Sequence, residues 1–221
     1  MAVVLVIGAS RGIGRGLVQA CLERGDRAIA TVRKSEDAQP LRDAGAEVLL
    51  VDVAQPASVS SLAWQLDGVK FDHAWYVAGA WDAGTAAAPP TQQDFDRIMH
   101  TNVLGAMQVL PQVMPCVVAA AGTMVCISSM MSRLADAASR AWLYRTSKAA
   151  LNMVVACAQT EWPGAQVIAM DPGWVQTDMG GEGAQITVET CVQGMLHTVG
   201  NLTPQDAGRL LRYDGLRWEN W

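Results

Sequence analysis

Tyr144-Arg-Thr-Ser-Lys148 places a phenol four residues ahead of an ammonium, at the start of a helical stretch from Ala141 to Thr160. Residues at i and i+4 share one face of a helix. A cation beside a phenol favours the phenolate and lowers its pKa from about 10. Such a pair can exchange a proton with a substrate oxygen near neutral pH. By itself, Tyr-x-x-x-Lys is a common feature of helix surfaces. Its setting sets this one apart. It follows a strand-like run ending Val125-Cys-Ile-Ser128-Ser129, whose hydroxyls would face the same space, and Asn102 lies on the preceding helical stretch.

A second constellation is Gly8-Ala-Ser10-Arg11-Gly12-Ile13-Gly14, between an apolar run and a helical pattern. Gly8 permits a tight turn, Gly12 lets backbone approach a pyrophosphate, and Gly14 lets helix and strand pack closely. A helix N-terminus adds free N–H donors and partial positive charge. The spacing is Gly-x-x-x-Gly-x-Gly, not the commoner Gly-x-Gly-x-x-Gly. The same residues spell the Gly-x-Ser-x-Gly of a hydrolase elbow with Ser10 as nucleophile. However, the seven residues before Gly8 are too few to supply an oxyanion hole, and His73, His100 and His197 offer no evident partner base.

The cofactor is read from the next strand. A carboxylate at its tip would bind the ribose hydroxyl of NAD; a basic residue would accept the 2′-phosphate of NADP. The strand ends Thr31-Val-Arg33-Lys34, with the first acids at Glu36 and Asp37, and Arg11 lies within the glycine turn. These bases favour NADP(H) over NAD(H), because Arg grips phosphate in bidentate fashion. The plainer alternative is a solvated strand end.

The elements that must position these groups alternate. Strands are predicted at 2–7, 27–32, 47–51, 72–78, 122–127 and 165–170. Helices are predicted at 12–24, 56–67, 91–113, 142–160 and 187–199, with a weaker one at 35–44 interrupted by Pro40. This alternation implies one α/β domain over residues 1–221, a doubly wound parallel sheet of about seven strands with helices on both faces.

The composition agrees: 51% hydrophobic residues, 17% charged residues and a net charge of −5 describe a globular chain without the basic field that nucleic acid or an anionic membrane would need. No apolar run approaches the roughly 20 residues of a membrane span. The five scattered cysteines form no Cys-x-x-Cys pair and read as reduced thiols of a cytoplasmic protein, and no metal site is expected.

Together these motifs make the sequence resemble the short-chain dehydrogenase/reductase superfamily in its single-domain form, over nearly the whole chain. Tyr144–Asn152, Pro172–Gly181 and the Tyr213-Asp-Gly ending are similar to the C-factor and sniffer-like carbonyl reductases. The resemblance implies that Ser129, Tyr144 and Lys148 are catalytic, with Asn102 binding a water that links Lys148 to solvent. It implies that Asp52 and Val53 contact adenine, that Ala78 and Gly79 end an Asn-Asn-Ala-Gly motif, and that Lys148 holds the nicotinamide ribose. The stretch Pro172-Gly173-Trp174-Val175-Gln-Thr177 would bring its threonine to the nicotinamide carboxamide.

Two departures stand out. Ser129 and Tyr144 are fifteen positions apart, against thirteen in the commoner form, so Ser128 and Ser132 stay open as alternatives. The Asn-Asn-Ala-Gly motif reads Tyr76-Val77-Ala78-Gly79, which implies a changed local brace. A substrate pocket is expected from Trp81, Met130, Met131, Trp142, Trp174 and Met179, and the Gly-rich 172–186 loop reads as a lid. The implied activity is NADP(H)-dependent hydride transfer to a small-molecule carbonyl, or from the corresponding alcohol. The alternative is a non-catalytic sensor of NADP(H). Relatives imply a homodimer or homotetramer through the helices near Met99–Val113 and Ala141–Thr160.

Overall fold

The computed structural model describes residues 1–219 and 221. Seven parallel strands form one sheet: β1 Val3–Ile7, β2 Arg27–Val32, β3 Glu47–Leu50, β4 His73–Tyr76, β5 Thr123–Ile127, β6 Gln166–Asp171 and β7 Leu210–Arg212. Their spatial order is β3-β2-β1-β4-β5-β6-β7, so the winding reverses between β1 and β4. In sheets of this kind ligands bind at that reversal, beyond the carboxyl ends of the strands. β7 is too short and isolated to appear as an apolar run in the sequence.

Strand alternation builds two cores. Leu5, Ile7, Met124, Cys126, Val167 and Ala169 face one side, and Val4, Val6, Val125, Ile127, Ile168 and Met170 the other. The first side is covered by α3 (Pro56–Val59), α4 (Leu62–Gln65), α6 (Gly105–Val118) and α7 (Trp142–Glu161). The second is covered by α1 (Gly12–Glu23), α2 (Gln39–Asp43) and α8 (Val188–Gly200).

Several expected helices differ. Pro40 does not interrupt a helix; it sits in the first turn of α2, where its missing N–H is harmless. The stretch 56–67 is two short helices with Ser60 and Ser61 between them. The stretch 91–113 becomes α5 (Gln92–Met99), a π turn at His100–Leu104, and α6, which runs through Pro111 and Pro115 to Val118. Burial of Val109, Leu110, Val113, Met114 and Val117 against the sheet outweighs the two prolines. By length and composition the helical run Gln92–Val118 could cross a membrane, but half of its apolar window is buried inside the fold, as in a core helix.

Candidate active site

The glycine turn is sterically committed. Gly8 has φ +92°, and a methyl there would come 2.7 Å from the Ala78 nitrogen; at Gly14 it would come 2.1 Å from the Gly8 carbonyl oxygen. Thr31, on β2, fixes the turn: its hydroxyl accepts the Gly8 N–H at 3.1 Å and its carbonyl the Ala9 N–H at 2.9 Å. Helix α1 then opens without a side-chain cap from Arg11, which leaves its first N–H donors for an anion. The Pro172–Thr177 segment returns over the turn, so that a methyl on Gly12 (φ +53°) would meet the Thr177 methyl at 3.1 Å. A phosphate chain suits this turn: three glycines lead into a helix whose first N–H donors have no side-chain cap.

The basic residues divide. Arg33 is exposed just past β2, and Lys34 pairs with Glu36 at 3.1 Å. Arg11 reaches across to Asp178 at 2.8 Å, both side chains about three-quarters exposed. Asp52 caps its own turn by accepting the Ala54 N–H, and the Val53 side chain is buried, which leaves its backbone for any adenine contact. His73 begins β4, at the opposite end of the sheet from Ser10, while His100 lies in the π turn and His197 on α8.

Ala78 and Gly79 follow β4, and Ala78 meets Gly8 of the glycine turn across the reversal. A methyl on Gly79 would lie 3.5 Å from Lys148 Nζ and 3.6 Å from Asn102 Oδ1, so these groups converge. Asn102 is fully buried: its Oδ1 accepts the Ala80 N–H at 2.7 Å, and its Nδ2 donates to the Ala80 carbonyl and the Ser147 hydroxyl, each at 2.9 Å. Lys148, 3% exposed, donates to the Ile127 carbonyl at 2.7 Å.

The three serines separate cleanly. Ser128 donates to Asn152 Oδ1 at 2.6 Å, and Ser132 accepts from Asn152 Nδ2 at 2.8 Å. Both are tied up on α7. Ser129 alone stands beside the Tyr144 phenol, close enough to stabilise its ionised form, while accepting the Met131 N–H at 3.1 Å.

The electrostatics correct one expectation. The Lys148 ammonium sits 5.6 Å from the Tyr144 ring centroid and donates to the Ile127 carbonyl. Burial therefore dominates and raises the Tyr144 pKa above its usual value, with Ser129 opposing and the Asp171 carboxylate adding to the rise. Burial also lowers the Lys148 pKa to about 8. Asp171, buried at the end of β6 and accepting the Gly173 N–H, has its own pKa raised by burial. Burial thus favours the protonated phenol.

The missing asparagines are replaced by a different device. In the π turn the Gly105 N–H bonds the His100 carbonyl, not the Thr101 carbonyl that α geometry would give it. Tyr76, fully buried, donates its hydroxyl to that Thr101 carbonyl at 2.6 Å. Gly105 makes the room, since a methyl there would come 2.5 Å from the phenol oxygen.

On the substrate side, Trp81 packs edge-on against Tyr144, with ring centroids 4.7 Å apart. Met130, Trp174 and Met179 are about half exposed, and Trp142 is half-buried at the first residue of α7. The Trp174 indole donates to the Gly180 carbonyl, and Val175 bridges Ile186, so the 172–186 loop is folded on itself. Sequence reasoning gave no role to Asp82, which belongs to no short motif, nor to Ser147, Asn152 and Asp178, which lie inside the quoted motifs but bond Asn102, Ser128 and Arg11 far along the chain.

Comparison with known proteins follows the same lines. The chain matches the model of the short chain dehydrogenase family over residues 2–187. It is 34% identical, over 99% of its length and 100% of the relative's, to 1-hydroxy-2-glutathionyl-2-methyl-3-butene dehydrogenase of Rhodococcus sp. (strain AD45). The carbonyl reductase Sniffer of D. melanogaster superposes over 100% of both chains with a TM-score of 0.91 at 24% identity, a likeness of fold. A short-chain dehydrogenase/reductase from Burkholderia multivorans with bound NADP aligns over 98% of this chain and 99% of its own, with a TM-score of 0.86 and 27% identity. The glycine turn, the strand reversal and the Tyr144–Lys148 helix all lie inside the matched span, and the chain belongs to the short chain dehydrogenase family of oxidoreductases.

Proposed function

We propose that this protein is an NADP(H)-dependent reductase of small-molecule carbonyls (ketones, aldehydes or quinones), able to run in reverse on the corresponding alcohols. The observation that carries the reading is the convergence of Ser129, Tyr144, Lys148 and Asn102 beside a glycine cradle at the carboxyl ends of the strands. NADPH, when bound, supplies the hydride. Ser129 orients the substrate oxygen, and Tyr144, kept protonated by burial, gives it the proton. Lys148 holds the nicotinamide ribose. Asn102 maintains the route by which Lys148 is reprotonated. Arg11 and Arg33 take the 2′-phosphate, Asp52 the adenine end, and Thr177 the carboxamide. Trp81, Met130, Trp142, Trp174 and Met179 favour apolar or aromatic substrates.

The NADP-bound relative supports the cofactor preference, and the Rhodococcus dehydrogenase supports including a thioether-bearing alcohol among candidate substrates. A non-catalytic sensor would need none of the proton-transfer residues, and their joint presence favours the enzyme. The exposed Met107 and Met153, on α6 and α7, suit pairing of subunits along those helices, and five free thiols suit a cytoplasmic setting. The test is NADPH oxidation against a panel of quinones, aromatic ketones, aldehydes and diketones, with NADH as control. Turnover preferring NADPH is expected; tight NADPH binding with no turnover on any substrate, in either direction, would turn the reading towards the sensor.

A further inference from the structure

Helix α7 carries Tyr144 in its first turn yet has no cap of its own. Ala141, which precedes it, holds the left-handed conformation (φ 57°, ψ 36°) and offers no side-chain oxygen. A non-glycine residue there persists only where its surroundings impose it. What imposes it is the 80–90 loop. The Ala141 N–H donates to the Gly84 carbonyl at 2.6 Å, Ala86 N–H bonds the Ser139 carbonyl at 3.2 Å, and Thr85 forms an antiparallel bridge with Arg140.

Asp82 is the centre of this junction. Its Oδ1 accepts the backbone N–H of Tyr144 at 3.1 Å, and its Oδ2 accepts the Gly84 N–H at 3.0 Å. The carboxylate thus does from another loop what an N-cap side chain ordinarily does from within, and its charge meets the positive end of α7. The neighbouring Trp81 packs edge-on against the Tyr144 ring, while its carbonyl accepts from Arg97 on α5 at 3.2 Å. Backbone and ring of the same tyrosine are therefore gripped by two consecutive residues.

We propose that Asp82 is a positioning residue for Tyr144: it caps α7 in trans and fixes the phenol in register with Ser129. The proposal rests on Tyr144 being the proton donor. The Asp82 carboxylate is spent on the Tyr144 and Gly84 backbone N–H groups, so its loss acts through the tyrosine on the chemical step. An error of about an ångström in such a group lowers the rate by ten- to a hundredfold.

The experiment compares wild type, Asp82→Ala and Asp82→Asn by steady-state kinetics, NADPH binding and amide hydrogen exchange. Alanine is expected to lower kcat about tenfold or more, leave the NADPH dissociation constant within about twofold, and speed exchange at the Tyr144 amide. Asparagine keeps an oxygen for that amide and is expected to restore most of kcat and its protection, with faster exchange only at Gly84. Wild-type kcat in the alanine variant, or an asparagine variant as slow as alanine, would overturn the proposal. If the alanine variant does not fold, an unprotected Tyr144 amide in the asparagine variant overturns it instead. A wild-type protein without reductase turnover strikes the proposed function, and the exchange data then judge the cap on their own.

Discussion

Replacing Tyr76 by phenylalanine removes one oxygen from the core and leaves the ring in place. The phenol is fully buried and donates at 2.6 Å to a Thr101 carbonyl that the π turn has deprived of its α-helical partner. Removing the donor opens no cavity for hydrocarbon but strands a buried acceptor, which costs about 1–3 kcal/mol. For a chain of this size that is a melting temperature lower by roughly 3–10 °C. Asn102 keeps its three bonds to Ala80 and Ser147, so turnover and NADPH binding should stay within a few-fold of wild type. The assay is thermal unfolding beside steady-state kinetics. An unchanged melting temperature would refute the brace. Lost turnover at unchanged stability would mean that Tyr76 serves the chemistry directly.

Other consequences are equally checkable. Gly14→Ala puts a methyl 2.1 Å from the Gly8 carbonyl oxygen, and fluorescence titration should show NADPH binding abolished in a chain that still folds. Arg33→Glu places an acid where a 2′-phosphate would lie, and the ratio of kcat/KM for NADPH over NADH should fall by about tenfold or more. The Lys148 pKa, lowered by burial to about 8, means that its charge is present below that pH and lost above it. Reduction should therefore fall as pH rises through about 8, in a profile of kcat/KM; a rate still flat at pH 10 would show that the charge is not needed.

The strands and the glycine turn were legible because a parallel sheet buried on both faces writes itself as continuous apolar runs, as at Val3–Ile7 and Gln166–Asp171. Leu210–Arg212 escaped because three residues, one of them charged, make no such run. The resemblance pointed to Ser129 but left Ser128 and Ser132 open. Neighbouring hydroxyls differ only in where the backbone aims them, and it took Asn152 on α7 to claim two of the three. The net shift of the Tyr144 phenol was not legible for a related reason: helix spacing puts Lys148 on the same side, but does not say how deeply the fold buries the ring. Asp82, Asp178 and Tyr76 act on partners 62, 167 and 25 residues away, a separation that only the fold closes.

The central claim is that Tyr144 completes, by proton donation, a hydride transfer to a carbonyl carbon. A single-turnover reaction with NADPH deuterated at the transferable position, run on wild type and Tyr144→Phe with a substrate found in the panel, tests it most directly. Deuterium should appear on the carbinol carbon of the wild-type product. The phenylalanine variant should bind NADPH normally and turn over about 10²–10⁴-fold more slowly. A wild-type rate in the variant, or product without deuterium at that carbon, would contradict the account.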